Sequence, residues 1–274
     1  MKKKCASLSV IIVLVAVFFS SCYKEKAAEL TAVTNTPAPL LEKINDSEEN
    51  IFKGPEVQMG NGKARSWISI NHAGLPIELG IELTDDALYG LPQDPKDFAA
   101  ATFVLPLHQK ARDITPIDHI VINWNVHGHE PEHVFDVPHF DFHFYMITLA
   151  DQLAIPPYEV APAGFENLPP HANWPDLYFP TAGGVPQMGK HWIDGTFAPP
   201  FSKTFIYGSY NGRFTFLEPM ITRDYLLQGT TSSTAYRQLH VFDPANKYYP
   251  QQYNIYKNTV TSKHYITLSN FAWR

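Results

Sequence analysis

Val137-Pro138-His139-Phe140-Asp141-Phe142-His143-Phe144-Tyr145 is the segment most diagnostic of this chain's architecture. Polar and aromatic residues alternate through it without interruption, and successive side chains of a β-strand point to opposite faces. One face of the predicted strand carries His139, Asp141, His143 and Tyr145, and the other carries phenylalanines suited to a hydrophobic core. Histidine and aspartate are not favoured for strand packing. The polar face therefore indicates a site that uses their chemistry.

Short runs of β-branched and aromatic residues recur from about residue 56 onward, separated by Gly, Pro, Asn and Asp. Asn211-Gly212 between two such runs is a strong hairpin signal, and one short helix is predicted in 148–155. This pattern predicts an all-β fold, a single β-sandwich or barrel-like domain with very little helix. Residues 156–200 are rich in Pro, Gly and aromatic side chains, and we predict a long ordered loop there. Predicted strands are 64–72, 76–84, 101–107, 119–125, 134–147, 203–209, 213–222, 236–242, 252–256 and 263–273.

The N-terminus has the features of a bacterial lipoprotein signal peptide. Lys2, Lys3 and Lys4 precede an apolar run, and Phe19-Ser20-Ser21-Cys22 resembles a lipobox with phenylalanine in place of the usual leucine. The apolar run is shorter than the roughly 20 residues that span a bilayer, although an uncleaved membrane anchor is the alternative. We predict a signal peptide over 1–21, a lipid on Cys22, a tether over 22–55 and a β-rich domain over 56–274. This places the protein in the bacterial cell envelope, held to a membrane by its N-terminal lipid.

Charge and cysteine content limit the chemistry of the mature chain. Removing 1–21 takes away three lysines and no acids, so the formal net charge moves from −6 to −9. An acidic surface argues against nucleic acid as a partner. The other cysteine, Cys5, lies in the segment to be removed, so no thiol remains for a disulfide, a nucleophile or a zinc–thiolate site. Any metal must be held by imidazole and oxygen ligands.

A divalent metal site is the function that the polar strand predicts. Met188-Gly189-Lys190-His191-Trp192 adds a histidine and Phe216-Leu217-Glu218-Pro219-Met220 adds a carboxylate. Imidazole and carboxylate together suit Zn, Mn, Fe or Cu. Cupin barrels use a similar ligand set, but their first two histidines are separated by one residue, and here by three. The predicted ligands are His139, Asp141, His143, His191 and Glu218.

The spacing along the strand leaves the arrangement of these ligands open. His139 and His143 have Cα atoms about 13 Å apart on a straight strand, whereas same-face neighbours such as Asp141 and His143 are about 6.6 Å apart. Asp141 is therefore either a ligand or a hydrogen-bond acceptor that orients an imidazole. A hydrogen-bonded polar network without metal is the structural alternative. The loop histidines His127, His129 and His133 are expected to be solvated.

Four segments of the sequence resemble those of a group of secreted bacterial proteins classed as a domain of unknown function. The likeness covers about residues 60–225 and implies a secreted, mostly β domain without implying any activity. The strings that carry it are Trp124-Asn125 to His129, Val137 to Tyr145, Met188 to Trp192 and Tyr207 to Met220.

These observations lead to a lipid-anchored envelope protein with a His/Asp/Glu metal site. If the protein is an enzyme, which the sequence leaves open, the metal would act as a Lewis acid or activate water. Tyr145 or Glu130 would then be positioned for proton transfer. A non-catalytic module that holds a carbohydrate or small apolar ligand against Trp174 or Trp192 is the first alternative. A structural β module with a metal-free network is the second.

Overall fold

The computed structural model of the chain describes residues 49–94, 96 and 98–274. The predicted signal peptide, Cys22 and the tether up to residue 48 lie outside the described residues. Among the described residues, no helix has the length and apolarity needed to cross a bilayer.

Two antiparallel sheets of seven strands each form a sandwich-like arrangement. The first sheet has the order β1-β3-β4-β15-β14-β12, with β2 also pairing with β3. Its strands are β1 Asn50–Lys53, β2 Val57–Met59, β3 Gly62–Ile70, β4 Pro76–Thr84, β12 Ser232–Ala235, β14 Gln252–Asn258 and β15 Lys263–Ser269. A separate pair is made by β13 Tyr248–Tyr249 and β16 Ala272–Trp273.

The second sheet has the order β5-β6-β7-β11-β10-β9-β8. Its strands are β5 Thr102–Pro106, β6 His119–Asn125, β7 His139–Tyr145, β8 Tyr178–Pro180, β9 Lys190–Asp194, β10 Lys203–Tyr210 and β11 Arg213–Thr222. β5 and β8 are its two edges, so the described sheet is not closed into a barrel. The all-β prediction is confirmed, and of its two forms the sandwich is the one observed.

In the part of the chain that the structure describes, helices are few and short, and all lie in connections. They are α1 Gln109–Ile114, α2 Leu149–Leu153, α3 Pro162–Glu166 and α4 Arg223–Leu227, with 3₁₀ turns at Asp85–Leu88 and His171–Asn173. The predicted hairpin is present: Tyr210 pairs with Arg213, and Asn211 and Gly212 have φ of 50° and 83°. Positive φ at both central residues matches the twist of the flanking strands.

The main hydrophobic core lies between the two sheets. Phe140, Phe142 and Phe144 of β7 are fully buried in it, together with aliphatic residues of β3, β4 and β15. β7 therefore turns its phenylalanines inward, as the alternation predicts. His139, Asp141, His143 and Tyr145 lie on the opposite face of the second sheet.

Three predictions from the sequence need correction. Residues 50–53, assigned to the tether, form edge strand β1 and pair with Ile70 to Trp67 of β3. The predicted loop 156–200 contains α3 and the strands β8 and β9, because Tyr178 and Trp192 pack into the main core. Residues 236–242 form no strand, because Tyr236 stacks flat on Phe205 rather than extending a sheet.

Candidate metal centre

The outer face of the second sheet carries the predicted site residues on three strands, β7, β9 and β11. On β7, His139 pairs with Asn125 of β6, and His143 pairs with Val121. β11 runs along the other side of β7, with Met220 opposite Asp141 and Leu217 opposite Phe144. This register puts Glu218 opposite His143. β9 then places His191 opposite Gly208 of β10.

The structure divides the polar residues into two groups, each with potential ligand atoms within 4.8 Å of one another. One consists of His129, His139 and Asp141, and we call it the open triad because the His129 side chain is 40% exposed. The other consists of His143, His191 and Glu218, and we call it the buried triad. The sequence predicted one site that contained both His139 and His143. The length of β7 between these two residues instead separates them into neighbouring groups.

In the open triad, two imidazole nitrogens face one carboxylate. His139 Nε2 lies 3.1 Å from Asp141 Oδ1, and His129 Nε2 lies 3.4 Å from Asp141 Oδ2. The opposite nitrogens are held by main-chain carbonyls, since His139 Nδ1 is 2.7 Å from Val137 O and His129 Nδ1 is 2.7 Å from Glu130 O. A carbonyl can only accept, so each Nδ1 carries a proton and donates it. In the neutral rings, both Nε2 lone pairs then point at the carboxylate, which is the tautomer required of a metal ligand.

Asn125 and the two imidazoles control the charge of Asp141. The Asn125 side-chain amide donates to Asp141 Oδ2 at 2.7 Å and lies 3.4 Å from His139 Nε2. Burial of Asp141 opposes its ionisation, but the charge of His139 and the interaction with His129 outweigh it and hold the pKa of the carboxyl well below its usual range. Burial lowers the pKa of His129, but its hydrogen bond to Asp141 reverses this and raises the pKa overall. Asp141 Oδ1 is buried and accepts no hydrogen bond.

In the buried triad, the polar atoms lie close together without satisfying one another. His143 Nε2 is 3.3 Å and His191 Nε2 is 3.7 Å from Glu218 Oε2. Both ring nitrogens of His143, and Glu218 Oε2, are buried and have no hydrogen-bond partner. Leaving such groups unpaired typically costs about 1–3 kcal/mol each. A cation placed between His143 Nε2 and Glu218 Oε2 would give both atoms a partner.

Burial disfavours the charged forms of all three residues of the buried triad. It lowers the pKa of His143 to about 3 and that of His191 to about 4, and the neighbouring imidazoles add to the shift. It raises the pKa of the Glu218 carboxyl well above its usual range, and the charge of Asp141 adds to this effect. A divalent ion would offset the charge of an ionised Glu218, so binding there would release a proton.

The distances fit a metal shell in both groups. Around a tetrahedral ion with bonds of about 2.1 Å, neighbouring ligand atoms lie about 3.4 Å apart. The four ion-pair distances in the two triads run from 3.1 to 3.7 Å. The potential ligand atoms of each triad all lie within 4.8 Å of one another.

Two small apolar clusters flank the triads on this face. Phe135, Ile206 and Met220 form one, and the ring of Phe201 from the same cluster lies 5.2 Å from His139. The other contains Phe216, whose ring centroid lies 4.7 Å from His143 and 5.4 Å from His191. These clusters surround the ligands with low-dielectric side chains, which strengthens their interaction with a cation.

The hydroxyl of Tyr145 has a main-chain partner, whereas the side chain of Glu130 is exposed. Tyr145 is fully buried, donates its hydroxyl to Gln187 O at 3.1 Å and stacks on His119. Burial raises the pKa of its phenol well above 10, which favours retention of its proton. Tyr145 also stacks on the ring of His143, with centroids 5.6 Å apart, so its ring supports that imidazole. Glu130 holds His129 through its backbone carbonyl.

Several residues behave differently from the sequence-based expectation. His129, expected to be solvated, contacts Asp141, because a bridge between His129 and Phe135 turns the loop back over β7. His133 is exposed, as expected. Trp192 is fully buried and donates to Ser209 Oγ, so it is a core residue rather than a ligand platform. The sequence pattern did not identify His129, Asn125 or Phe216 as site residues. His129 reaches the site through the path of its loop, and Asn125 and Phe216 reach it as neighbours of β7 across the sheet.

Comparison with known proteins gives one family similarity. A family model described as TTHB210-like, Hypothetical protein TTHB210, matches residues 71–124. This part of the chain is therefore similar to an uncharacterised family, and the match runs from the turn between β3 and β4 nearly to the end of β6. It includes none of the six triad residues and does not reach the Val137 to Tyr145 string. No curated protein and no solved structure matches the chain.

Proposed function

We propose that this protein is a lipid-anchored envelope protein that binds divalent metal ions at the open and buried triads. The observation that carries the proposal is the set of buried atoms without hydrogen-bond partners: Asp141 Oδ1, both nitrogens of His143, and Glu218 Oε2. Three of these atoms, Asp141 Oδ1, His143 Nε2 and Glu218 Oε2, lie 3.1–3.3 Å from another potential ligand atom, a distance suited to a shared ion. A network evolved only for hydrogen bonding would be expected to pair its buried groups.

The donor set restricts the type of metal. Each triad offers two imidazoles and one carboxylate, which suit Zn, Fe, Mn or Cu better than the all-oxygen shells of Ca and Mg. Three protein ligands leave at least one coordination position for water or another ligand. The partly exposed His129 makes the open triad the place where an outside molecule would reach the metal. The buried triad is suited to a structural ion.

The competing interpretation is a hydrogen-bonded network without metal, and the observations that support it concern the open triad. The raised pKa of His129 and the ionised Asp141 would make an imidazolium–carboxylate pair there. The same account fails at the buried triad, where the imidazoles are neutral and Glu218 Oε2 accepts no hydrogen bond. The two triads can therefore be tested separately.

The deciding experiment is elemental analysis of the full chain, purified in detergent without an affinity tag. We expect about two ions per chain, about one in Asp141→Asn and about one in Glu218→Gln, because each isosteric change removes one anionic ligand. His133→Ala, which alters an exposed histidine near the open triad, serves as the control and should retain both ions. Metal-free protein whose thermal midpoint does not respond to added Zn, Mn, Fe or Cu would contradict the proposal.

The anchor rests on the N-terminal sequence. The basic Lys2 to Lys4, the apolar run and Ser20-Ser21-Cys22 support cleavage before Cys22 and attachment of lipid to it. In a bacterial host supplied with labelled palmitate, the wild-type chain should incorporate label and partition with membranes. Cys22→Ser should do neither. A Cys22→Ser chain that stays in the membrane fraction would favour an uncleaved N-terminal anchor.

A further inference from the structure

A concave site that shares no residue with either triad lies between the β8–β10 edge of the second sheet and β12–β14 of the first. It is a pocket of about 510 Å³. This volume lies within the range of roughly 300–1,000 Å³ that is usual for small-molecule sites. The residues that give the pocket its character are Tyr178, Phe197, Lys203, Phe205, Tyr236 and Tyr253.

The aromatic walls of the pocket are held in place by their own hydrogen bonds. Tyr178 donates its hydroxyl to Phe205 O at 2.8 Å, and Tyr236 donates its hydroxyl to Pro250 O. The rings of Tyr236 and Phe205 stack with centroids 3.8 Å apart. Because these two hydroxyl protons are already donated, the tyrosines offer a ligand chiefly ring surface. The walls are therefore preorganised for a flat or cyclic group.

The pocket lining carries more positive than negative charge. Lys203 donates from Nζ to the neutral Thr234 Oγ1 at 2.8 Å and lies 5.3 Å from the centre of the Tyr253 ring. No carboxylate of the described residues pairs with its ammonium. Arg237 is the second cation, and it is paired with Asp194 at 2.8 Å. Two cations thus face one carboxylate, in a chain whose formal net charge is −6.

The partly buried ammonium of Lys203 distinguishes this pocket from an ordinary aromatic cluster. Burial lowers its pKa, so the fold bears a cost for keeping this group in place. Contact with one ring face and one hydroxyl recovers only part of the lost hydration. A carboxylate bound beside Lys203 would satisfy the ammonium, while its attached ring would lie against the aromatic walls.

We propose that this pocket binds a small organic anion in which a carboxylate is attached to a ring. Aromatic acids and sugar acids share this chemistry. The pocket shares no residue with the triads, so the proposal stands or falls independently of metal binding. Neutral sugars and neutral aromatic molecules would use the walls but would leave Lys203 without a counter-charge.

The test is calorimetric titration of the full chain in detergent with two matched pairs of probes: benzoate with benzamide, and glucuronate with glucose. We expect the acid of at least one pair to bind about tenfold or more tightly than its neutral partner, the order expected for a hydrogen bond to a charged group. Tighter binding of benzoate assigns the pocket to aromatic acids, and tighter binding of glucuronate assigns it to sugar acids. Equal affinity within both pairs, or no saturable binding of any probe, overturns the proposal.

Lys203→Gln links the preference to the pocket. It removes the charge and keeps a hydrogen-bond donor, so it should abolish the difference between the preferred acid and its neutral partner. Lys110→Gln, a change on α1 outside the pocket, should leave the difference intact. Unchanged acid binding in a folded Lys203→Gln chain also overturns the proposal. Should that variant fail to fold, the comparison of acid and neutral probes on the wild-type chain still decides.

Discussion

His129 and His133 belong to one loop and have opposite surroundings, which makes them a matched pair for the open triad. His129 has both ring nitrogens engaged, one by a carbonyl and the other facing Asp141. The side chain of His133 is 85% exposed, and its nearest carboxylates, Glu132 and Asp136, are exposed as well. A pair this exposed contributes little to stability. The difference comes from the path of the loop and not from local sequence.

Replacing His129 with alanine should weaken metal binding at the open triad while leaving the buried triad occupied. Loss of residues that merely orient a ligand costs about 10–100-fold in metal affinity, so loss of a ligand should cost at least as much. His133→Ala should bind metal like the wild type. Competition with a chromophoric chelator measures both affinities. Equal losses in the two variants would mean that the effect comes from the loop's charge and not from ligation.

Two glutamates of β4 provide a test of pH dependence outside the triads. Glu78 is partly buried, and this burial raises the pKa of its carboxyl to about 7, against a smaller opposing effect of the Thr267 hydroxyl that donates to it. Burial also acts on Glu82, but Lys263 and Lys53 donate to that carboxylate and lower its pKa overall. The two residues should therefore respond to pH in opposite directions.

The free energy of unfolding should lose a contribution from Glu78 as pH rises from about 4.5 to about 7. Over this interval the unfolded chain has already released the proton that the native carboxyl retains, so raising the pH favours unfolding by about 1–3 kcal/mol. Glu78→Gln should remove this component. Glu82→Gln should remove the opposite contribution. The lowered pKa of Glu82 stabilises the fold above pH 4.5, and this stabilisation is lost as the pH falls. Urea unfolding at pH 5 and pH 7.5 measures the Glu78 contribution, and urea unfolding at pH 3 and pH 5 measures the Glu82 contribution. Indistinguishable pH profiles in the two variants would contradict this account.

At the scale of elements, strand β7 shows how far a periodic pattern can predict structure. Strict alternation predicts that the phenylalanines face the core and that the polar residues share the other face, and the structure has this arrangement. The same pattern cannot show which polar neighbours lie across the sheet. Glu218 reaches His143 through the pairing of β7 with β11, and His191 arrives from β9. These contacts are non-local and are therefore absent from any window of sequence.

Errors in the predicted elements have the same origin. Strand β1 was missed because its sequence, Asn50–Lys53, has little strand character and is ordered by pairing with β3. Strands β8 and β9 were missed because proline and glycine dominate their surroundings, yet they extend the second sheet from β10. Residues 236–242 look like a strand because Tyr236, Leu239, Val241 and Phe242 recur among polar residues. Leu239 is instead buried in the main core without joining a sheet, and Tyr236 stacks on Phe205.

Gly208 of β10 links strand packing to the buried triad. A Cβ atom at this position would lie 2.0 Å from the ring of Phe216, which in turn contacts His143 and His191. Gly208→Ala should therefore displace this ring and destabilise the fold by about 1–3 kcal/mol, the usual cost of overpacking. Metal at the buried triad should weaken while metal at the open triad is retained. Denaturant unfolding and elemental analysis measure the two effects, and full occupancy of both triads would show that Phe216 does not position these imidazoles.

For the whole molecule, the two triads connect different parts of the fold. The buried triad draws one ligand each from β7, β9 and β11, which are strands of one sheet but distant in sequence. The open triad joins β7 only to the connection 126–138 that precedes it. A ligand stabilises the structure that must be formed for it to bind. Metal at the buried triad should therefore stabilise the domain as a whole, and metal at the open triad should order one loop.

Zinc titration of the two single-triad variants, followed by hydrogen exchange and thermal unfolding, tests this division. Asp141→Asn keeps the buried triad; with zinc at 100 times its Kd, linkage predicts about 2.7 kcal/mol of added stability. For a chain of this size, that corresponds to a rise of roughly 5–10 °C in Tm, with slower exchange along β7, β9 and β11. Glu218→Gln keeps the open triad, and zinc should slow exchange mainly in 126–138, with a smaller change in Tm because that loop opens independently of the sheets. The reverse assignment, or identical protection in both variants, would mean that the triads act as one coupled centre on β7 and not as two sites with separate structural roles.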